Sequence, residues 1–288
     1  MQTKDQDFVE QLFVASTHST LLFFTNRGRV HWKKVYELPQ LGRAARGKAL
    51  VNLLTLGEGE RVQALLPVRS FEEAAREFVV IATRRGVIKK TAVSAFSNPR
   101  RGGIIAINLD GDDEVISARR TTGSQEVLLA TKGGKSIRFP ETQVRPMGRT
   151  AAGVRGITLG ASDEVVGMEI LSPGATILTV TANGFGKCTL LENYRVQNRG
   201  GQGVITIRTT ARNGEVVGVA QVMSDDEVML ITNGGKVLRC KVKGISVMGR
   251  ATQGVKIMER APGEVLVALA RMAEYDAGSG ESAEEDLP

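Results

Sequence analysis

Arginine and lysine recur at two fixed places along this 288-residue sequence. One series follows a set of short turns that end in glycine, and it consists of Arg29, Lys33, Lys34, Lys89, Lys90, Lys135, Arg138, Lys187, Lys236, Arg239 and Lys241. The other lies in small glycine-containing loops, and it consists of Arg43, Arg46, Arg100, Arg101, Arg149, Arg199 and Arg250. Cationic groups release condensed counterions when they neutralise phosphates, so such binding depends on salt and hardly on base sequence. The two series predict phosphate-binding positions.

The overall charge agrees with a polyanionic partner. The chain has 38 Lys and Arg against 31 Asp and Glu, and residues 273–288 hold six of those acids and no base. Without this segment the chain has 38 bases against 25 acids, so a basic body precedes a short acidic tail that we expect to be disordered. A basic composition alone is equally compatible with a net charge that serves only to keep the protein soluble. Recurrence at fixed positions favours binding.

The turns that precede the first series define an internal repeat of about 50 residues. Their closing glycines are spaced 58, 48, 50 and 51 residues apart, and they are Gly28, Gly86, Gly134, Gly184 and Gly235. A second set is spaced 56, 50, 50 and 51 residues apart, and it consists of Gly47, Gly103, Gly153, Gly203 and Gly254. An acidic turn precedes the last strand of each unit, as in DDEVISA and SDEVVGM. Because the two glycine sets have nearly the same spacing, the sequence indicates five complete repeats.

Each repeat has the composition of a small antiparallel sheet. Valine- and isoleucine-rich runs flank every turn, and glycine supplies the positive φ that a tight hairpin needs. We therefore predict an all-β, propeller-like fold of four-stranded repeats in one domain over residues 1–272. Residues 7–13 match the last strand of a unit and form a leftover N-terminal strand. FEEAAREF, residues 71–78, is expected to add one helical turn.

Several long strings resemble the C-terminal domain of the A subunit of bacterial DNA gyrase, a type IIA topoisomerase. They are THSTLLFFTNRGRVHWKKVYELP (17–39), GRAARGKALVNLL (42–54), NGFGKCTLLENY (183–194), TTARNGEVVG (209–218) and ISVMGRATQGV (245–255). The resemblance runs from about residue 7 to 272 and implies a β-pinwheel whose blades exchange strands. It implies that duplex DNA bends around a basic rim, so that strand passage introduces negative supercoils.

The same resemblance implies a signature box, Q-(R/K)-R-G-G-(R/K)-G, in the first repeat of the family. This sequence matches five of its seven positions, but in a later repeat, at Gln197, Asn198, Arg199, Gly200, Gly201, Gln202 and Gly203. Pro99-Arg100-Arg101-Gly102-Gly103 is a weaker match. The departure puts supercoiling competence in question, whereas DNA binding need not depend on the box.

No catalytic site is expected in this chain. His18 and His31 are the only histidines, without a partner arrangement that suggests a metal site, and no GxxxxGK[ST] loop suggests ATP binding. We expect no cofactor and no membrane association, a cytoplasmic location and a monomeric isolated domain. The resemblance implies two partners within an ATP-dependent isomerase, which are the rest of gyrase A and gyrase B.

Three other interpretations stay open at this stage. The related topoisomerase IV subunit is a family-level alternative, and a protein-interaction propeller is a functional one. Single-strand binding is disfavoured because only 5% of residues are aromatic and stacking platforms need rings. Trp32 lies in a basic stretch, where it either stacks on a nucleotide or forms part of a half-buried strand.

Overall fold

A computed structural model of the chain describes residues 15–40 and 48–272, and within them it contains strands and short 3-10 helices only. Each repeat has three longer strands, and these are β1 (Thr20–Thr25), β2 (Arg29–Lys34), β3 (Val62–Val68), β4 (Phe78–Thr83), β5 (Val87–Ala92), β7 (Val115–Thr121), β8 (Glu126–Thr131), β9 (Lys135–Pro140), β11 (Val165–Leu171), β12 (Thr176–Thr181), β13 (Phe185–Leu190), β15 (Val216–Val222), β16 (Glu227–Thr232), β17 (Val237–Lys241) and β19 (Leu266–Met272). Four two-residue strands complete the set: β6 (Ile104–Ile105), β10 (Val154–Arg155), β14 (Val204–Ile205) and β18 (Val255–Lys256). The 3-10 helices are Val35–Glu37, Leu50–Asn52, Glu73–Arg76, Val93–Phe96, Glu141–Gln143, Leu191–Asn193 and Val242–Gly244.

The strands form five antiparallel sheets, one for each repeat, and we refer to these as blades 1 to 5. Their strand orders are β3-β1-β2-β6, β10-β5-β4-β7, β11-β8-β9-β14, β15-β12-β13-β18 and β17-β16-β19. The predicted all-β pinwheel of about 50-residue units is therefore confirmed. No helix in the described part of the chain has the length and apolar character needed to cross a bilayer.

Tight hairpins build each blade in the way that the glycines predict. Between β1 and β2 the loop spans residues 26–28, and the amide of Gly28 donates to the Thr25 carbonyl over 3.0 Å. The closing glycines of all five hairpins have φ between 71° and 86°, a region that side-chain-bearing residues avoid. The described members of the second glycine set have φ between 72° and 92°. Both glycine sets therefore mark real chain reversals.

The outermost strand of each of blades 1 to 4 comes from a later repeat. In blade 1, for example, Ile104 pairs with Val30 and Ile105 with Arg29, although both isoleucines lie in repeat 2. The same exchange adds β10 to blade 2, β14 to blade 3 and β18 to blade 4. This strand exchange joins neighbouring blades through main-chain hydrogen bonds, and it also covers part of the outer edge of blades 1 to 4.

Apolar packing between the blades stabilises their arrangement. The last long strands contact one another in order, β3 with β7, β7 with β11, β11 with β15 and β15 with β19, so these strands line the centre. One core cluster spans blades 1 and 2 and includes Leu22, Phe24 and Ile81. Burial of each such side chain contributes on the order of 1.5–3 kcal/mol.

The segment of the predicted helical turn and Trp32 both lie within the described residues. FEEAAREF contains the 3-10 helix Glu73–Arg76, which confirms the predicted helical turn. Trp32 lies half-buried on β2 and its indole N–H donates to the Phe96 carbonyl over 2.7 Å, which favours the strand interpretation. The leftover strand at 7–13 and the acidic tail at 273–288 lie outside the described residues.

Candidate nucleic-acid interface

The exchanged strands and the glycine loops that precede them form the outer border of the blades. We define the rim loops as residues 98–107, 148–157, 198–207 and 249–258. In chain order these loops contain two, two, one and two basic residues, and no acidic residue. A surface that repeats this pattern from loop to loop presents positive charge along a curved path.

The residue that follows each of the first three rim loops donates a main-chain hydrogen bond to the next rim loop. The Asn108 amide donates to the Ala151 carbonyl over 3.3 Å, the Thr158 amide to Gly201 over 2.9 Å, and the Arg208 amide to Thr252 over 2.9 Å. The loops of repeats 2, 3, 4 and 5 therefore form a continuous border and not four separate projections.

The arginines that stand four residues before the rim glycines reinforce this border. The guanidinium of Arg149 donates to the Ile105 carbonyl over 3.2 Å, and that of Arg250 donates to the Ile205 carbonyl over 2.8 Å. Arg199 donates in the same manner to the Arg155 carbonyl. Each acceptor is the second residue of an exchanged strand in the preceding repeat. Because a carbonyl is neutral, these bonds fix the guanidinium and leave its charge uncompensated.

Repeat 2 departs from this arrangement because Pro99 stands where the other repeats have arginine. The two bases of its rim loop, Arg100 and Arg101, are exposed, and the carbonyl of Gly102 accepts from the guanidinium of Arg29 over 2.5 Å. No carboxylate among the described residues lies within ion-pair distance of the rim arginines Arg100, Arg101, Arg149, Arg155, Arg199 and Arg250. The rim arginines therefore keep their positive charge, whereas the rim lysine Lys256 lies 3.6 Å from the carboxylate of Glu259.

Of the series that follows the hairpin turns, only part lies beside the rim. Arg29, Lys135 and Lys236 occupy the first position after the closing glycine, where the strand borders a rim loop or its continuation. Lys33 and Lys34 are half-buried farther along β2, and Lys241 is exposed at the end of β17.

The sequence prediction is wrong for Lys89, Lys90 and Lys187, because none of the three presents its side chain at the surface. Their exposed fractions are 0%, 3% and 0%. Lys90 lies 3.6 Å from the carboxylate of Glu141, which is itself fully buried. A buried ammonium group is stabilised by the groups around it and does not reach a phosphate in this structure.

Arg138 and Arg239 bind acidic partners within their own blades. Arg138 donates to Glu126 across the hairpin over 2.9 Å and also to the Leu191 carbonyl over 2.9 Å. Arg239 pairs with Glu227 in the corresponding position of blade 5. Their charges are compensated locally, so they contribute less to the outward field. Arg43 and Arg46 lie outside the described residues.

Six residues of the seven-residue box match at 197–203 lie in the rim loop 198–207. The amide of Gly200 donates to the Gly156 carbonyl over 2.7 Å, and the Gly200 φ of 84° requires a residue without a Cβ. A Cβ on Gly203, where φ is 72°, would overlap the Ser136 carbonyl oxygen. The glycines therefore shape the loop, whereas Arg199 supplies its charge.

Sequence reasoning missed two basic residues on the rim. Arg155 and Lys256 are exposed on the exchanged strands β10 and β18, two residues after their rim glycines. That constant spacing from Gly153 and Gly254 was a signal in the sequence. The equivalent residues in two other repeats, Ile105 and Ile205, are apolar, so the basic side chains do not form a complete series.

Comparison with protein families gives one match that covers most of the chain. The model for the DNA gyrase C-terminal domain, beta-propeller, matches residues 19–69, 77–122, 125–172, 175–223 and 226–271. These five ranges coincide with the five repeats.

Curated relatives at 41–49% identity carry the name of the DNA gyrase A protein. The relative from Salmonella typhimurium (strain LT2) is 49% identical over 98% of this chain and 33% of its own length. That from Staphylococcus epidermidis (strain ATCC 12228) is 41% identical over 96% of this chain and 31% of its own length. The chain thus spans about a third of the relatives that it matches.

Solved structures with the same fold come from both related enzymes. The C-terminal domain of DNA topoisomerase IV has a TM-score of 0.83 at 26% identity, with 88% of this chain and 79% of that chain covered. A DNA gyrase A C-terminal domain has a TM-score of 0.77 at 23% identity, with 90% and 84% covered. The higher identity to the curated gyrase sequences favours gyrase A over the topoisomerase IV alternative.

Proposed function

The chain belongs to the DNA gyrase C-terminal domain family, and on this premise we propose that it binds duplex DNA along the rim loops and bends the duplex around them. The observation that carries the proposal is the continuous border of rim loops, which holds arginines without carboxylate partners among the described residues. Such a border neutralises phosphates along a curve and does not depend on base sequence.

Bending requires several such contacts at once. A bend of 40–90° over 20–30 base pairs costs on the order of 1–6 kcal/mol, which no single phosphate contact offsets reliably. Four rim loops joined by main-chain hydrogen bonds supply a series of contacts in fixed relative positions. Because their geometry is set before the duplex arrives, little ordering cost is added on binding.

The proposed role is non-catalytic, with strand cleavage and ATP hydrolysis assigned to other parts of the gyrase A and B holoenzyme. In support, Tyr194 is 1% exposed and its hydroxyl lies 2.7 Å from that of Thr206. Burial raises the pKa of Tyr194, which disfavours the anionic, nucleophilic form. We further propose a cytoplasmic location and a monomeric isolated domain, with DNA presented to the cleavage site of the holoenzyme so that strand passage introduces negative supercoils.

Binding of a labelled duplex of about 150 base pairs at 50 and 200 mM salt tests the proposal. If the rim contacts 6–10 phosphates, affinity is expected to fall by about 10³–10⁵ between these conditions. Affinity that does not change with salt would contradict a phosphate-driven interface. Competition with an equal mass of single-stranded DNA should leave duplex binding largely intact.

Ligation of linear duplexes into circles in the presence of the chain tests bending and wrapping separately from binding. Wrapped DNA retains a change in linking number after relaxation and removal of protein. Strong, salt-dependent binding with no topological change would restrict the function to binding, consistent with the displaced position of the box.

A further inference from the structure

The third residue after each closing hairpin glycine marks an equivalent position in the five repeats. The residues at this position are His31, Lys89, Ile137, Lys187 and Leu238. Lys89 and Lys187 are both 0% exposed, and neither has an ion-pair partner among the described carboxylates. Burial of an ammonium group without a carboxylate partner costs free energy. Folding stability therefore does not explain why lysine occupies these two positions.

Lys89 joins two consecutive rim loops. Its ammonium donates to the Ala106 carbonyl in loop 98–107 over 2.7 Å, and it also donates to the Arg149 carbonyl in loop 148–157. A single cation therefore sets the distance between the loop of repeat 2 and the loop of repeat 3.

Lys187 holds the corresponding arginine two blades farther along, although both of its acceptors lie in one rim loop, residues 249–258. Its ammonium donates to the Gly249 carbonyl over 2.5 Å and to the Arg250 carbonyl over 2.7 Å. In both blades one acceptor is the main-chain carbonyl of the arginine that stands four residues before the rim glycine. The lysine thus holds the residue whose guanidinium we assign to phosphate binding.

The rim loop 198–207 lies between the two loops that the lysines contact, and a neutral residue holds it instead. Ile137 occupies the lysine position there, and Gln143 from the 3-10 helix Glu141–Gln143 takes over the role. The Gln143 side-chain carbonyl accepts from the Arg199 amide over 2.7 Å, and its amide nitrogen lies 3.3 Å from the Asn198 side-chain oxygen. Fixing the arginine's main chain is therefore common to all three loops, whereas a buried charge is not required by the fold.

The surroundings of Lys89 and Lys187 lower the pKa of both ammonium groups, so that their protonation changes closer to neutral pH. Burial, and then the positive charge of Arg149, lowers the pKa of Lys89 to about 8. Burial, and then Arg250, lowers the pKa of Lys187 to about 8. Lys90, the next residue on the same strand as Lys89, is paired with Glu141. A phosphate bound to the overlying arginine would relieve the repulsion and favour the protonated lysine.

We propose that Lys89 and Lys187 are positioning residues of the DNA-binding rim, which hold Arg149 and Arg250 in place for phosphate and make duplex affinity fall when their ammonium groups lose a proton. This inference rests on the proposed function and extends it to a pH dependence. Arginine side chains and the Gln143 contact do not titrate in the same range, so the dependence belongs to the two lysine-held loops.

The test compares the wild-type chain with Lys89→Met/Lys187→Met for binding of one duplex at fixed salt between pH 7 and 9.5. The wild type is expected to weaken several-fold as pH rises through about 8, whereas the double variant should bind at least 5-fold more weakly at pH 7 and show a flatter pH profile. Groups common to both proteins, such as the α-amino group, cancel in the comparison.

Two further variants make the outcome specific. Lys132→Met removes one lysine charge away from the rim loops and should retain the wild-type pH profile. Gln143→Met should weaken binding at every pH without flattening the profile. Circular dichroism confirms that each variant folds.

The positioning role would be overturned by a double variant with wild-type affinity at pH 7, or by one that keeps the full pH dependence. A wild-type chain that shows no salt-dependent duplex binding at all would instead overturn the proposed function.

Discussion

The rim loops and the turn edge differ in how their basic residues are compensated. We define the turn edge as the hairpin turns that end in Gly28, Gly86, Gly134, Gly184 and Gly235 together with the acidic turns at 57–60, 110–114, 160–164, 211–215 and 261–264. There Lys132 lies 3.2 Å from Glu164 and 3.3 Å from Glu215, and Arg84 lies 3.9 Å from Glu114. On the rim, Arg149 and Arg250 bind neutral carbonyls.

The hydrogen-bond acceptor of a basic residue therefore determines how much of its charge reaches the solvent. An arginine held by a carboxylate contributes little to the outward potential, whereas one held by a carbonyl is fixed in position and keeps its whole charge. The two regions are built from the same repeat, so the placement of the acidic residues in one turn separates a cationic border from one whose charges are compensated.

Neutralisation of three bases in each region is expected to give the largest contrast. Arg149→Gln/Arg199→Gln/Arg250→Gln retains amide donors for the carbonyls but removes three charges from the rim. At about 0.1 M salt the loss of three phosphate contacts should weaken duplex binding by about 100- to 1,000-fold. Measurement of the dissociation constant by fluorescence anisotropy checks this result.

The matched control is Arg84→Gln/Arg85→Gln/Lys132→Gln, which removes the same charge from the turn edge. Screening over a Debye length of about 10 Å limits its effect to less than about 5-fold. Equal losses in the two triple variants would show that only net charge matters and would remove the distinction between the regions.

The pH dependence of the free energy of unfolding should distinguish the buried lysines from the basic residues at the surface. Since the pKa of Lys89 and Lys187 is lowered from 10.5 to about 8, the unfolded chain binds more protons than the folded one between these values. Their contribution to stability is therefore present above pH 10.5 and is lost as pH falls through about 8. Each lysine adds a slope of at most about 1.4 kcal/mol per pH unit in this window.

Chemical unfolding at pH 8 and pH 9.5 checks this sign. The wild type should gain more stability over the interval than Lys89→Met/Lys187→Met, while its DNA affinity declines. Identical pH slopes in the two proteins would argue against the depressed lysine pKa values.

Substitution of Gly203 by alanine tests whether the rim depends on backbone shape as well as charge. A Cβ there would meet the Ser136 carbonyl, and φ is 72°. We therefore expect a destabilisation of about 2–3 kcal/mol. Gly148→Ala, also in a rim loop, has open space around its Cβ and should stay within about 0.5 kcal/mol of wild type. Thermal denaturation of both variants provides the comparison.

The smallest effect is expected from Lys132→Met on the turn edge. Its side chain is about one-third exposed, and its pKa is raised mainly by hydrogen bonds to Glu164 and Glu215. Surface ion pairs of this kind contribute about 0–1 kcal/mol, so unfolding free energy should fall by less than about 1 kcal/mol. A loss above about 2 kcal/mol would mean that the turn edge stabilises the blades more than its exposure suggests.

The repeat and its hairpins could be predicted because the signal is local. A closing glycine such as Gly86 must adopt positive φ within its own turn, so its spacing reveals the blades directly. Strand exchange was available only through the family resemblance, because two-residue strands such as Val154–Arg155 have no periodicity of their own.

The errors in the predicted site have a different physical origin. Lys89 looks like a solvated base in sequence, but its acceptor at Arg149 lies 60 residues away and reaches it only through the exchanged loop. Burial at that position depends on a neighbouring repeat, and no window around Lys89 contains that information. The place of Arg199 in a rim loop, in contrast, could be predicted because the neighbouring glycines mark that loop directly.

Strand exchange also constrains the order in which the domain can be completed on the ribosome. Three strands of blade 1 end at Val68, but the fourth is not made until Ile105 has been synthesised. Each of blades 1 to 4 therefore keeps an open edge until a later repeat has been translated, and each later repeat in turn completes a blade whose other strands are already made.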